Sequence, residues 1–190
     1  MDEGTESGIP GVGNLPWGTH LVHFFRTKED LARGLVGYFK AGLRGAEKIL
    51  WGTASPLRTD EALSDLSLVV PDFARFLKAG QIVAVDHREW LGGKDPVAGL
   101  LEEADGALKS GFRGLRMAGN CSWIGPERHE SFMAYEGLLG QAIRGRRILA
   151  LCSYNLSTGS ARDAVEAIRR HDFSLHPGDD SWELLETGRR

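Results

Sequence analysis

Residues 147–152 (RILALC) form an almost continuously apolar run, the pattern of a strand that is covered on both faces. Four other short runs rich in branched or apolar residues precede it, at 20–25 (HLVHFF), 48–54 (KILWGTA), 81–85 (QIVAV) and 114–118 (GLRMA). Segments of helical period separate them. Strand and helix alternating about five times predict an α/β fold, a three-layer architecture with a mostly parallel sheet and helices on both faces. Residues 173–176 and 182–185 flank Pro177-Gly178-Asp179-Asp180, which predicts a C-terminal antiparallel hairpin. Ligands of such sheets usually sit beyond the carboxyl ends of the strands.

The helices have local signals. Thr27 offers an N-cap with Asp30 three residues on, and Leu31, Leu35, Phe39 and Leu43 then make one buried stripe. Residues 72–79 read as a short helix. Asp95-Pro96 is an N-cap followed by proline at the first helical position, ahead of a stripe of Val97, Leu100, Leu101, Ala104 and Leu108. Gly125-Pro126 starts a helix with Phe132, Tyr135, Leu139 and Ile143 along one side, and 160–170 is a further helix. Glycine is overused, at 25 of 190 residues, and Gly45, Gly80 and Gly111 are expected as left-handed helix ends. Residues 1–16, rich in Gly and Pro, read as a mobile tail. A single domain is expected over 17–186, with a short C-terminal tail at 187–190.

A formal net charge of −3 disfavours direct nucleic-acid binding. Cys121 and Cys152 have no CxxC spacing, fit neither a disulfide framework nor a zinc cluster, and point to a reducing compartment. No apolar run approaches the ~18 residues of a membrane span and the first residues open no signal peptide, so the expected location is the cytoplasm, away from the membrane.

Several chemistries lack their motifs. GxxxxGK[ST] and GxGxxG follow none of the strands, which argues against a phosphate cradle and ATP hydrolysis. GxSxG is missing. Cys152 ends a strand, and His20 and His171 could approach it, but the favoured reading is a buried structural cysteine. The six histidines show no HExxH or paired-ligand spacing, and His20 and His23, three apart on a strand, point to opposite faces, so neither metal nor cofactor is expected. Glu136 borders the apolar stripe of its helix and needs a cation, for which Arg116 at a strand end is the expected partner. Trp17, Trp51, Trp123 and Tyr154 cluster near strand ends and with these two charges suit an apolar pocket with few polar groups.

The segment from Pro16 to Phe25 (PWGTHLVHFF) resembles the opening of the MEDS domain, the sensory domain of dichloromethane-responsive regulators of methanogens and methylotrophs. Asp30-Leu31 and the stretch from Tyr38 to Leu43 resemble its first helix, the stretch from Gly114 to Trp123 its GLR…G…W segment, Tyr135-Glu136 its YE pair, the stretch from Ala150 to Tyr154 its LC-x-Y strand, and His171 before Phe173-Ser174-Leu175 its closing histidine. The matches run in order over about residues 16–186. The resemblance implies a RecA-like domain that has lost the phosphate loop, non-enzymatic, sensing small hydrocarbon derivatives. The expected ligand site is drawn from His20, Trp51, Arg116, Asn120, Trp123, Glu136, Tyr154 and His171, residues near strand ends or on a helix stripe facing the sheet, most of which lie in these family-like motifs. No kinase module or helix-turn-helix is recognisable, so the sequence reads either as a sensory domain trimmed from a longer protein or as one that signals through a separate kinase or transcription regulator, with a homodimer as a further possibility. The competing readings are a protein-interaction scaffold on a degenerate RecA-like ATPase fold, and a hydrolase or ATPase.

Overall fold

A computed structural model describes residues 4–91, 95–122, 124–177 and 182–188. Seven strands form one sheet, in the order β5 (Ile82–Asp86), β4 (Lys48–Thr53), β6 (Leu115–Asn120), β7 (Ile148–Asn155), β3 (His20–Phe25), β8 (Phe173–Pro177) and β9 (Trp182–Glu186). All pairings are parallel except β8 with β9, so the expected mostly parallel sheet and C-terminal antiparallel hairpin are both present. The hairpin's turn, 178–181, lies outside the described residues.

β7 sits in the middle of the sheet, and every residue from Ile148 to Ser153 is buried, as its apolar run requires. Its neighbours fix the register: His20 lies opposite Ala150 and Val22 opposite Cys152 on one side, and Met117 opposite Ala150 and Gly119 opposite Cys152 on the other. Alternation then divides the molecule. One face carries Leu21, Phe25, Ile49, Trp51, Ala118, Leu149 and Leu151 under α1 (Lys28–Arg44), α2 (Thr59–Val69) and α3 (Phe73–Lys78). The other carries Leu50, Leu115, Met117, Ala150 and Cys152 under α5 (Pro96–Lys109) and α6 (Pro126–Ala142). Val22 and Phe24 continue that second face under α7 (Ala161–Arg170).

The helix signals translate directly. Thr27 and Asp30 form a complete capping box, as do Ser160 and Asp163, and Asp95 caps α5 through Val97 and Ala98. Gly80 and Gly111 close helices with positive φ, but Gly45 does not: at φ −76° it is ordinary, and Ala46 takes the left-handed position instead.

The expected N-terminal tail needs correction. Residues 4–16 hold an antiparallel ribbon of β1 (Thr5–Glu6) and β2 (Asn14–Leu15), and Ile9, Val12 and Leu15 join the core above α1. Three large apolar groups spaced three apart suffice to dock a segment that is otherwise glycine and proline. Two glycines allow the approach, since a Cβ on Gly37 would lie 2.1 Å from the Gly8 carbonyl oxygen. α2 and the short α4 (His87–Leu91) are helices that the sequence pattern did not mark.

Candidate functional site

Glu136 is completely buried on α6, between Phe132 and Leu139 of the helix's apolar stripe. Its expected partner, Arg116, is not there. Arg116 alternates with Leu115 and Met117 along β6, so its side chain leaves the sheet on the opposite face. On that face its Nε donates to Glu47 at 2.6 Å, its two terminal nitrogens donate to the carbonyls of Ser7, Tyr38 and Glu6, and its guanidinium lies 4.6 Å over the Tyr38 ring. Thr5 donates to the same Glu47. Arg116 thus ties the N-terminal ribbon to the sheet.

Glu136 is held by histidines. His20 opens β3, fixed by a reciprocal clamp in which its backbone N–H donates to the Asp172 carboxylate and the Asp172 N–H donates to its carbonyl. The clamp brings His171, the residue that ends α7, against His20 with ring centroids 3.9 Å apart. Glu136 Oε2 lies 3.2 Å from His20 Nε2, 3.5 Å from His171 Nε2 and 3.4 Å from Cys152 Sγ, and His20 Nε2 lies 3.4 Å from the same sulfur. The other oxygen, Oε1, accepts from Tyr154 at 2.8 Å and from Cys121 at 3.8 Å. All four of His20, Glu136, Cys152 and His171 are buried. His171 Nδ1 lies 2.7 Å from the Ala167 carbonyl, which can only accept, so Nδ1 carries the proton and Nε2 faces Glu136.

The electrostatics follow. Burial alone raises a carboxyl. The His20 hydrogen bond, the charges of His171 and His20 and the Tyr154 hydroxyl outweigh it and bring Glu136 down to about 2. Contact with Cys121, burial and the Glu136 charge push the Cys152 thiol well up, so it is no thiolate nucleophile as it stands. Burial and Glu136 likewise raise Tyr154.

Above this cluster, at the carboxyl ends of β6 and β7, opens a cleft of about 780 Å³. Its apolar lining includes Cys121, Ile124, Phe132, Met133 and Tyr154, and its polar lining includes His129, Ser160, Arg162 and Asp163. The polar side is tied together: His129 lies 2.9 Å from Glu166, which also accepts from Arg162 at 3.0 Å. Tyr154 and Cys121 belong to both places, lining the cleft while touching Glu136.

The eight expected site residues therefore separate. His20, Glu136, Tyr154 and His171 come together. Trp51 is core, its ring tilted against Phe39 with centroids 4.8 Å apart, and Arg116 is the anchor described above. Asn120 spends its amide on the Ala54 and Ser55 carbonyls and its oxygen on the Ser122 N–H, pinning the loop after β4. Trp123 lies outside the described residues. Sequence reading missed Cys121, Phe132 and Met133 as cleft residues, although Phe132 stood in the α6 stripe. It placed Cys152 near both histidines but gave it no part in the site.

No curated protein sequence matches the chain. Among solved structures it is similar to the KaiC-like protein PH0186 of the hyperthermophilic archaeon Pyrococcus horikoshii OT3, at 16% identity over 96% of this chain and 88% of that one, with a TM-score of 0.63. It is also similar to the flagellar accessory protein FlaH of Methanocaldococcus jannaschii (10% identity, 92% and 80% covered, TM-score 0.59). A third is the uncharacterized protein PH0321 of Pyrococcus horikoshii, solved with an unknown peptide (15% identity, 93% and 86% covered, TM-score 0.60). These likenesses establish a RecA-like fold and no more. What fold likeness leaves open the sequence decides, because residues 19–172 match MEDS, the MEthanogen/methylotroph, DcmR Sensory domain, and the chain belongs to that family.

Proposed function

We propose that the chain is a non-enzymatic sensory module that takes a small, largely apolar molecule with one polar end into the cleft over β6 and β7 and relays its presence to a separate kinase or transcription regulator. The observation that carries this reading is the double membership of Tyr154. Its ring lines the cleft and its hydroxyl donates to the buried Glu136 at 2.8 Å. A ligand that displaces the ring disturbs a carboxylate no other hydroxyl serves among the described residues, and the disturbance reaches β3, β7 and α7 through His20, Cys152 and His171.

A second observation supports the absence of nucleotide chemistry. The step from β3 to α1, the place of a phosphate loop in this fold, is only Arg26 and Thr27. There the Asp30 carboxylate accepts from the backbone amides of both. The Asp30 N–H is in turn taken by the Thr27 hydroxyl, and a carboxylate at a helix N-terminus repels a phosphate. Membership in a sensory family agrees with the reading.

The test is a thermal-shift panel of short-chain halogenated alkanes and alcohols on the wild type and on Thr158→Trp. Thr158 is an exposed lining residue, so the indole fills the cleft without entering the core. Ligand binding to the native state raises the melting temperature of the wild type and leaves Thr158→Trp unmoved. A flat response across the panel, together with no small molecule co-purifying by native mass spectrometry, refutes the proposal.

A further inference from the structure

The geometry of the buried cluster points to a metal centre. We propose that His20 Nε2, His171 Nε2, Cys152 Sγ and Glu136 Oε2 bind one zinc-class divalent transition-metal ion per chain in a closed, four-coordinate site. The inference stands apart from the ligand reading of the cleft.

The four donor atoms lie within 4.8 Å of one another. A tetrahedron built on zinc bonds of roughly 2.0–2.2 Å to nitrogen and oxygen and 2.3 Å to sulfur has edges of roughly 3.3–3.6 Å. The separations His20–Glu136, His20–Cys152, Cys152–Glu136 and His171–Glu136 are 3.2, 3.4, 3.4 and 3.5 Å. Four of the six edges thus already have tetrahedral length, and the remaining two, from His171 Nε2 to His20 Nε2 and to Cys152 Sγ, are no longer than 4.8 Å.

The supporting contacts aim the ligands. The Ala167 carbonyl holds one proton of His171 on Nδ1, which aims Nε2 at Glu136 Oε2. An ion takes the place there of the proton that Nε2 presents to the carboxylate. Tyr154 and Cys121 occupy Oε1, leaving Oε2 as a one-toothed ligand. Charge closes as well. A divalent ion, one thiolate, one carboxylate and two neutral imidazoles sum to zero, which suits a site with no exposed ligand. Binding replaces the S–H bond of Cys152 and the Nε2–H bonds of the charged imidazoles by bonds to the metal, and those protons leave to solvent. Two imidazoles with one thiolate and one carboxylate select zinc, cobalt, iron or nickel over magnesium and calcium. With four protein ligands no position stays open for water, so the ion organises the fold beneath the cleft and activates no nucleophile.

The experiment uses the whole chain. Metal content of the purified protein is measured, the protein is stripped with a chelator, and cobalt(II) is titrated while the thiolate-to-cobalt charge-transfer band is followed. The expected result is saturation at one equivalent, displacement by zinc, indifference to magnesium, and a melting temperature raised by roughly 5–10 °C at zinc a hundredfold above Kd. Cys152→Ser loses the charge-transfer band, whereas Cys121→Ser keeps it. The wild type decides the matter even if a variant fails to fold. Metal-free protein as purified, with no charge-transfer band on titration of folded wild type, overturns the proposal. A band lost in Cys121→Ser and kept in Cys152→Ser overturns the ligand assignment.

Discussion

Replacing Arg116 by Met keeps the length of the side chain and removes its charge and all its donors. Glu47, fully buried, then holds a carboxylate whose remaining side-chain partner is Thr5, and the carbonyls of Glu6, Ser7 and Tyr38 lose a guanidinium N–H each. Breaking a buried pair by removing one member costs about 3–5 kcal/mol. For a chain of this size each kcal/mol is worth roughly 2–4 °C, so Arg116→Met should melt about 6–20 °C below the wild type. The cause of the loss is separable. Most of it is a stranded charge, so adding Glu47→Gln to Arg116→Met should recover about 1–3 kcal/mol, although Glu47→Gln alone destabilises. Urea melts of the wild type, both single variants and the double variant close the cycle. An Arg116→Met midpoint within about 2 °C of the wild type, or a double variant whose loss equals the sum of the singles, refutes the view that this pair clamps the ribbon to the sheet.

Burial lowers the His23 imidazole to about 4 against the opposing charge of Asp30, with Ser153 and Trp182 as its other neighbours. The unfolded chain takes up that proton near pH 6.5 and the folded chain does not, so stability is full above pH 6.5 and falls by about 3 kcal/mol as pH drops to 4. Urea melts at several pH values should show a slope over this range that is one proton shallower in His23→Leu, and equal slopes would exclude His23 as the source. In Gly37→Ala the new Cβ meets the Gly8 carbonyl, so limited proteolysis within residues 4–16 should accelerate while the sheet stays intact; unchanged cleavage would mean the ribbon is not held there. Calorimetry with millimolar Mg-ATP should record no specific heat, and a micromolar Kd would overturn the argument from the Asp30 cap.

The strand and helix alternation was legible because each strand is short, branched and bounded by its own cap, and caps such as Asp95 and Ser160 act within three residues. The sensory family was legible from ordered motifs. The partner of Glu136 was not. Alternation says that Arg116 and Met117 leave β6 on opposite faces, but nothing local says which of those faces α6 covers. The pocket expectation therefore joined residues from both sides of the sheet. Glu47, which fills the place assigned to Glu136, precedes β4 and has no periodicity to mark it as buried. The His–Glu–Cys cluster was legible only in part, as Cys152 within reach of His20 and His171, and its joining to Glu136 as one ligand set escaped for a different reason. Its members stand at positions 20, 136, 152 and 171, on four separate elements, and spacing rules detect ligands only when one or two segments supply them. Ile9, Val12 and Leu15 did carry a signal, three apolar groups at regular spacing, which the surrounding glycines obscured.

Among the described residues two carboxylates are fully buried, Glu47 and Glu136, on opposite sides of the sheet, and the difference between their partners separates scaffold from site. Glu47 faces the guanidinium of Arg116, which binds three backbone carbonyls at the same time, so that pair belongs to the folded frame. Glu136 faces two imidazoles and a thiol, groups whose charge depends on a proton or on a bound cation. Its energy is therefore conditional, and it is the one that touches the cleft, through Tyr154. A sensory domain needs such an asymmetry. The constitutive ion pair holds α1, β6 and the N-terminal ribbon in register whatever the state of the cleft. The conditional cluster joins α6, β7, β3 and the end of α7, the elements that a change at Tyr154 would move together.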